Sequence, residues 1–220
     1  MFAGIRNFPF MPVSDMIRLL QQKDGSYAFT VDVSLLTPEK LRKIADAVEK
    51  YASYVKFTES QRMLVFGIKA EDAEKFCREA EVKPAPGKGV KSVKWCPPEC
   101  IFSLQDARAM AERLENLKGM ELPANMKIAV SGCPNSCTEA QVRDIGLMGK
   151  KNGFTLYVGG CVGKNPRIGR VLKDKLGYDE AEELVRKIVE VYKDKAEEGE
   201  RLGKFIERYG WENFLKELGI

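Results

Sequence analysis

Four of the six cysteines form two pairs with the same internal spacing. The pairs are Cys96–Cys100 in CPPEC and Cys133–Cys137 in CPNSC, with 32 residues between them. Four thiolates can hold either a 4Fe–4S cluster or a structural zinc ion. Structural zinc sites usually contain tighter CxxC pairs, so two CxxxC pairs favour iron–sulfur chemistry. A zinc site and simple buried thiols are the two alternatives that the spacing leaves open.

The composition excludes several classes of catalysis. The chain has 220 residues and no histidine, so Ser-His-Asp and Cys-His catalysis and His-ligated zinc or haem are ruled out. Its 36 basic and 32 acidic side chains give a net charge of +4. This mildly basic balance does not indicate nucleic-acid binding, and we expect no nucleic-acid partner.

The expected compartment is inferred from the lack of a signal-peptide pattern and of a membrane-spanning pattern in the sequence. Residues 1–20 do not read as a signal peptide, and no run of about 18 apolar residues predicts a membrane span. We therefore expect a cytoplasmic protein that does not bind a membrane. In a reducing compartment, cysteines are more often metal ligands, catalytic groups or buried thiols than disulfides.

Residues 25–82 have the pattern of a small α+β unit. Strands are predicted at 27–33, 54–58 and 63–68, and helices from 38 and over 70–81. Thr37 and Pro38 suit the N-cap and the first turn of the first helix. The order β-α-β-β-α resembles a ferredoxin-like split βαβ unit.

The later part of the chain combines short buried strands with amphipathic helices. Residues 84–89 read as a linker, 104–117 as a helix, and 127–130, 145–148 and 154–158 as strands. A long helical pattern covers 179–196, and further apolar stripes follow to residue 218. We expect an α+β fold with a half-domain at 1–83, a cysteine-bearing α/β domain at 84–178 and a C-terminal helical extension at 179–220.

Several motifs carry a resemblance to a known family. SGCPNSC at 131–137 is followed by DIGLMG at 144–149, and FTESQRMLVFGI lies at 57–68. These segments resemble the sirohaem- and 4Fe–4S-containing nitrite and sulfite reductases, and the resemblance covers roughly residues 20–215. It implies a ferredoxin-like half-domain followed by the 4Fe–4S domain.

The resemblance also implies roles for individual residues. Cys96, Cys100, Cys133 and Cys137 would ligate the cluster, and the Cys137 thiolate would also bridge to the sirohaem iron. The carboxylates of sirohaem need cations and N–H donors. The candidates are Thr58, Gln61, Arg62, Asn135, Lys164, Arg167 and Arg170. Lys150 and Lys151 are candidates for attracting the anionic substrate, sulfite or nitrite.

Three departures from the family pattern shape the expectations. The leading cysteine pair is closer in sequence than usual, the chain has one half-copy instead of two, and Ser60 stands where the first half-copy has an arginine. A homodimer would supply a second half. With no GxGxxG fingerprint, electrons would come from an external protein donor. The alternative is a non-catalytic 4Fe–4S protein for electron transfer or tetrapyrrole handling.

Overall fold

A computed structural model describes residues 17–33, 35–87 and 89–220. The chain divides into two compact units, one within residues 1–87 and one within 88–220. Residues 1–16, where the expected half-domain begins, lie outside the described residues. No helix in the described part of the chain has the length and apolar character needed to cross a membrane.

Over residues 17–33 and 35–87, the first unit contains one antiparallel sheet and two α-helices. Its strands are β1 (Leu20–Gln21), β2 (Tyr27–Asp32), β3 (Tyr54–Phe57), β4 (Arg62–Ile68) and β5 (Lys83–Pro84). Its helices are α1 (Pro38–Tyr51) and α2 (Ala73–Glu79). The strand order is β1-β2-β4-β3, and β5 pairs with β2. This confirms the predicted ferredoxin-like order of elements.

Local sequence explains how the first unit is built. The Thr37 side chain accepts a hydrogen bond from the Lys40 N–H, and Pro38 occupies the first turn of α1, as predicted. The core lies between the sheet and the helices, where Phe29 meets Phe76 edge-on at 5.8 Å between ring centroids. β4 places Met63 and Val65 in the same core. Strand alternation therefore decides which side chains of β4 are buried.

The second unit has a mixed five-stranded sheet. Its strands are β6 (Val90–Trp95), β7 (Met126–Ser131), β8 (Ile145–Lys150), β9 (Gly153–Val158) and β10 (Arg170–Leu176). The order is β10-β9-β8-β7-β6. β6, β7 and β8 run parallel, whereas β9 and β10 are antiparallel to their neighbours.

Four helices belong to the second unit. They are α3 (Ala107–Leu114), α4 (Tyr178–Lys195), α5 (Leu202–Tyr209) and α6 (Trp211–Leu218). Ile188 of α4, Phe205 of α5 and Phe214 of α6 are buried in one core with the sheet residues Ile128 and Leu156. The C-terminal helices therefore complete this core. The finer boundaries expected at 83/84 and 178/179 stay predictions.

The structure differs from the sequence-based elements at two helices and four short strands. α3 begins at Ala107 and not at residue 104, because the N–H groups of Leu104 and Gln105 both donate to the Gly132 carbonyl. The predicted helix at 70–81 is a 3₁₀ turn at 70–72 followed by α2. Strands β1, β5, β6 and β10 were not predicted.

Candidate iron–sulfur site

Two adjacent parallel strands deliver the two cysteine pairs to one edge of the sheet. β6 ends at Trp95, which pairs with Val130 of β7, and Cys96 follows directly. Cys133 comes two residues after Ser131, where β7 ends. The carboxyl ends of parallel neighbours meet at the same edge, where α/β sheets generally place their ligand sites. Sequence positions 36 residues apart thereby become neighbours, as the Cys96–Gly132 hydrogen bond shows.

Cys96 is the best-defined of the four thiols. Its Sγ accepts a hydrogen bond from the Gly132 N–H at 3.1 Å. Partial burial raises the pKa of the Cys96 thiol; the Gly132 N–H opposes this, and the nearby Cys133 and Cys137 thiols add to it. Both thiols of the second pair therefore interact with Cys96.

The four thiols differ in exposure. Cys133 is buried, Cys96 is half-buried, and Cys100 and Cys137 are exposed. Among the described residues, no group of three or more Cys, Asp or Glu side chains is assembled around the position of a single metal ion. The assignment of the four cysteines as cluster ligands therefore stays a prediction from the motif. The structure shows that both pairs follow strands that end at the same edge of the sheet.

Glycines allow the loops at this edge to pack closely. A Cβ at Gly132 would lie 2.5 Å from Ser103 Oγ and 2.7 Å from the Gln105 carbonyl oxygen. A Cβ at Gly149 would lie 2.4 Å from the Gly132 carbonyl oxygen. Side chains at these two positions would push the cysteine loops apart. Ser103 and Gln105 were not singled out from the sequence, although Gln105 Nε2 also donates to the Lys150 carbonyl at 2.8 Å.

The CPNSC loop is held by its own backbone and by the residues that follow. The Ser136 N–H donates to the Cys133 carbonyl at 3.2 Å, and the Ser131 and Thr138 hydroxyls lie 2.6 Å apart. Ser136 has a φ of +51°, a left-handed conformation that is costly for a residue with a side chain. Asn135, a predicted sirohaem contact, is exposed on this loop next to the exposed Cys137.

Lys150 and Lys151 lie where β8 ends, at the cysteine-bearing edge. This follows from the parallel pairing of β7 with β8, in which Ser131 is opposite Met148. Lys150 Nζ lies 3.4 Å from Asp174 Oδ1, and Lys151 is exposed in the turn before β9. The structure therefore brings both predicted substrate-attracting lysines to the edge that carries the cysteines.

In the first unit, the predicted cofactor residues occupy the turn between β3 and β4. The Thr58 N–H donates to the Arg62 carbonyl at 2.8 Å, and Gln61 takes a φ of +54°. Arg62 is only 6% exposed, yet its Nε and Nη2 have no hydrogen-bond partner among the described residues. Burial lowers the pKa of Arg62, and the charge of Asp32 opposes that change. Unpartnered guanidinium nitrogens suit an anionic group such as a carboxylate.

The remaining predicted sirohaem contacts lie elsewhere in the second unit. β9 runs antiparallel to β8, and Val158 at its end pairs with Ile145, the first residue of β8. The loop after β9, which carries Lys164 and Arg167, therefore leaves the sheet at the edge opposite the cysteines, and Arg170 starts β10 at that same edge. The structure does not bring these three residues together with the cysteine loops, and their sirohaem contact stays a prediction.

Two of these three cations already have partners. Arg167 Nη1 donates to Glu207 Oε1 at 2.7 Å, and the Arg170 guanidinium lies 3.8 Å from the centre of the Trp211 ring. Arg167 therefore forms an ion pair with a residue of α5, and Arg170 forms a cation–π contact with a residue of α6. Lys164 is exposed.

The last two cysteines are separate from the two pairs. Cys77 is buried in the first-unit core, and burial raises its pKa to about 12, which makes its thiol inert. Cys161 is half-buried, and its backbone pairs with Arg167 at the edge opposite the cysteine pairs.

Comparison with known families assigns both parts of the chain. Residues 87–220 match the family described as nitrite and sulphite reductase 4Fe-4S domain. Residues 20–82 match the nitrite/sulfite reductase ferredoxin-like half domain.

Individual proteins show the same relationship. The chain is 38% identical to an assimilatory-type sulfite reductase of Nitratidesulfovibrio vulgaris, over 88% of this chain and 93% of that protein. It is 36% identical to an NAD(P)H nitrite reductase of Bacillus subtilis, over 86% of this chain but only 24% of that protein. A dissimilatory sulfite reductase I structure shares the fold, with a TM-score of 0.77 and 14% identity over 88% of this chain and 69% of that chain.

These matches agree with the half-domain order and with the motifs around the cysteines. Membership implies a 4Fe–4S cluster and sirohaem, and the named relatives are oxidoreductases. The chain belongs to the nitrite and sulfite reductase family, as a member that contains one ferredoxin-like half domain and one 4Fe–4S domain.

Proposed function

We propose that this chain reduces sulfite at a sirohaem iron that is coupled through the Cys137 thiolate to a 4Fe–4S cluster. The observation that carries this proposal is the delivery of both cysteine pairs to one sheet edge by the parallel strands β6 and β7. Cys96, Cys100, Cys133 and Cys137 are the proposed cluster ligands.

The residues at the edge suit such a cluster. Gly132 directs its N–H to Cys96 Sγ, and hydrogen bonds of this kind tune the potential of thiolate-bound iron. Gly132 and Gly149 leave room for the loops to meet. Cys137 is exposed, so its sulfur would also be accessible to the iron of sirohaem.

Each unit, taken by itself, contains residues that suit sirohaem carboxylates. Arg62 offers two buried nitrogens, Nε and Nη2, that have no hydrogen-bond partner within residues 17–33, 35–87 and 89–220, and Asn135 is exposed close in sequence to Cys137. Gln61 and Thr58 belong to the same turn as Arg62, although the Thr58 hydroxyl also bonds the Arg62 backbone. Sirohaem supplies the redox chemistry when bound, and the chain supplies its orientation and electrostatic surroundings.

The chain must also supply protons. Conversion of sulfite to hydrogen sulfide anion consumes six electrons and seven protons and releases three waters. Because the chain has no histidine, the Nζ atoms of Lys150 and Lys151 are the proposed proton donors at the cysteine edge. Both ammonium groups also favour the approach of an anion.

The preference for sulfite over nitrite rests on the relatives. The sulfite reductase of Nitratidesulfovibrio vulgaris is matched over 93% of its length, whereas the nitrite reductase of Bacillus subtilis is matched over 24%. An external protein donor, a cytoplasmic location and a homodimer stay predictions.

The test is a visible spectrum and a metal analysis of protein purified without oxygen from sirohaem-producing cells. We expect a Soret band, isobacteriochlorin bands and about five irons per chain, counting four in the cluster and one in sirohaem. We also expect sulfide formation from sulfite with reduced methyl viologen as donor. A cluster without sirohaem, and without turnover after sirohaem is added back, would favour the non-catalytic electron-transfer alternative.

A further inference from the structure

The edge of the second-unit sheet opposite the cysteines carries a cavity of about 150 Å³. It lies between the loop after β9 and the start of α5. Four cationic side chains are among the residues that line it: Lys164, Arg167, Arg201 and Lys204. The volume is ample for a five-atom oxyanion, since one buried water needs only about 10–15 Å³. These residues do not belong to the cysteine loops, so the cavity is separate from the proposed cluster site.

Backbone contacts hold the walls of this cavity in place. The Cys161 N–H donates to the Arg167 carbonyl at 3.1 Å, and the Arg167 N–H donates to the Cys161 carbonyl at 2.9 Å, so residues 162–166 form a closed loop. On the other wall, a Cβ at Gly203 would lie 2.4 Å from the Gly159 carbonyl oxygen, because α5 packs closely against the residue that follows β9. The cationic side chains are therefore attached to backbone that is already fixed, which lowers the entropy cost of binding.

The acidic side chains near the cavity engage its two arginines. Asp144 lines the cavity and accepts two hydrogen bonds from Arg201. Glu207 accepts one hydrogen bond from Arg167 at 2.7 Å. Each guanidinium has five N–H donors, so both arginines keep donors for a further acceptor.

The two lysines are not neutralised in this way. Lys164 and Lys204 are exposed, and neither forms a hydrogen bond or an ion pair with any residue of the ranges that the structure describes. The pKa of Glu200 is lowered mainly by a hydrogen bond from Arg208 and to a smaller degree by the charge of Lys204. Two ammonium groups therefore line a cavity whose carboxylate, Asp144, already has a cation, and a dianion would balance their charge.

We propose that this cavity is a binding site for a phosphate-class oxyanion, either free phosphate or the phosphate group of a small ester. Lysine binds such groups as a point charge, and arginine adds directional N–H donors. The site lies away from the cysteines and does not depend on the proposed reductase function. The resemblance implied a sirohaem contact for Lys164 and Arg167, and their place in this cavity favours a separate ligand.

A neighbouring cavity distinguishes the two sources of phosphate. It has a volume of about 270 Å³, shares Gly159, Arg167 and Gly203 with the first cavity, and is also lined by Trp211 and Ile168. A phosphate ester would place its organic part against these apolar surfaces, whereas free phosphate would not contact them. Inorganic phosphate and adenosine 5′-monophosphate are therefore the two probes.

The test is equilibrium binding of each probe to the full chain, purified without oxygen, at constant ionic strength in chloride. Lys164→Gln and Lys204→Gln each remove one positive charge from the cavity. Lys173→Gln is the matched control, because Lys173 is also exposed, lies in the same unit and lines a different cavity together with Glu180 and Glu183. The sirohaem content per chain is measured on the same samples.

We expect saturable binding of at least one probe, with the dissociation constant raised about tenfold in Lys164→Gln and Lys204→Gln and unchanged in Lys173→Gln. Tighter binding of adenosine 5′-monophosphate than of phosphate would identify an ester as the ligand, and equal or weaker binding would identify the free ion. The proposal is overturned if neither probe binds saturably, or if the two cavity variants bind like wild type or like Lys173→Gln. A lower sirohaem content in Lys164→Gln with unchanged phosphate binding would also overturn it, since Lys164 would then serve the cofactor.

Discussion

Arg201 donates two hydrogen bonds to the carboxylate of Asp144, which lies 57 residues earlier in the chain. Nε lies 3.0 Å from Oδ1 and Nη2 lies 2.6 Å from Oδ2, and Asp144 also accepts from the Lys127 N–H at 2.8 Å. Asp144 is 1% exposed and directly precedes β8. The pair therefore connects the residue before α5 to the start of β8, and through the Lys127 N–H to β7.

Removing Arg201 should be strongly destabilising. Arg201→Ala leaves a buried carboxylate without its cation, and we expect a loss of about 3–5 kcal/mol in the free energy of unfolding at neutral pH. Chemical denaturation of the variant and wild type measures this. Arg208→Ala is the control, because Arg208 pairs with Glu200 nearer the surface and should cost much less. Equal losses in the two variants would contradict the prediction.

The Asp144 carboxyl should make stability depend on pH. Burial raises its pKa above 3.8, and the hydrogen bonds from Arg201 oppose that shift. The Asp144 carboxyl therefore binds its proton more tightly in the folded chain than in the unfolded chain. The contribution of Asp144 to the free energy of unfolding falls as the pH rises from 3.8 to the higher pKa of Asp144 in the folded chain. In Arg201→Ala, the pKa of Asp144 in the folded chain should rise further, because the hydrogen bonds that lower it are lost. We therefore expect the Arg201→Ala loss to be smaller at pH 5 than at pH 8, and a loss that grows on acidification would refute this.

The four paired cysteines should be required for the cluster, and the other two should not. Substituting Cys133 or Cys137 by Ser should abolish acid-labile sulfide and the cluster iron, because a cubane needs all four thiolates. Cys77→Ala is the control, since Cys77 lies in the first-unit core with an inert thiol. The measurement is the iron and acid-labile sulfide content per chain of each variant and of wild type, purified anaerobically. Retention of both in Cys137→Ser would remove Cys137 from the ligand set.

Arg62 should matter for sirohaem more than for folding. Arg62→Met removes two buried N–H groups that have no partner in the described structure, so the Tm of the sirohaem-free protein should not fall. Sirohaem content per chain should fall about tenfold, the equivalent of about 1.4 kcal/mol for one charge-assisted contact. Absorption spectra after reconstitution measure the content. Arg42→Met, on the exposed face of α1, should leave both quantities unchanged.

Gly132 should tolerate no side chain. Gly132→Ala would bring a Cβ against Ser103 Oγ and the Gln105 carbonyl, and we expect a loss of about 1–3 kcal/mol together with lower cluster content. Gly163→Ala is the control, because its Cβ would meet only Cys161 Sγ, at 3.8 Å. Unfolding curves and iron content test both variants. Wild-type behaviour of Gly132→Ala would mean that the two cysteine loops are more loosely packed than the structure indicates.

Local sequence determined the first unit and the identity of the reactive groups. Thr37 and Pro38 set the start of α1, and the alternation around Met63 and Val65 set the inward face of β4, because caps and strand periodicity depend on near neighbours in the chain. The motif around Cys133 and Cys137 likewise predicted the cofactors and the family, which the comparisons confirmed.

Only the tertiary structure decided which predicted residues share an edge. Lys150 joins the cysteines because β8 runs parallel to β7, whereas Arg167 and Arg170 lie at the other edge because β9 runs antiparallel. Strand direction depends on pairing between distant segments, and the spacing of residues along the chain carries no information about it. For the same reason, the Asp144–Arg201 pair and the start of α3 at Ala107 could not be read from the sequence, since each depends on a partner at least 27 residues away.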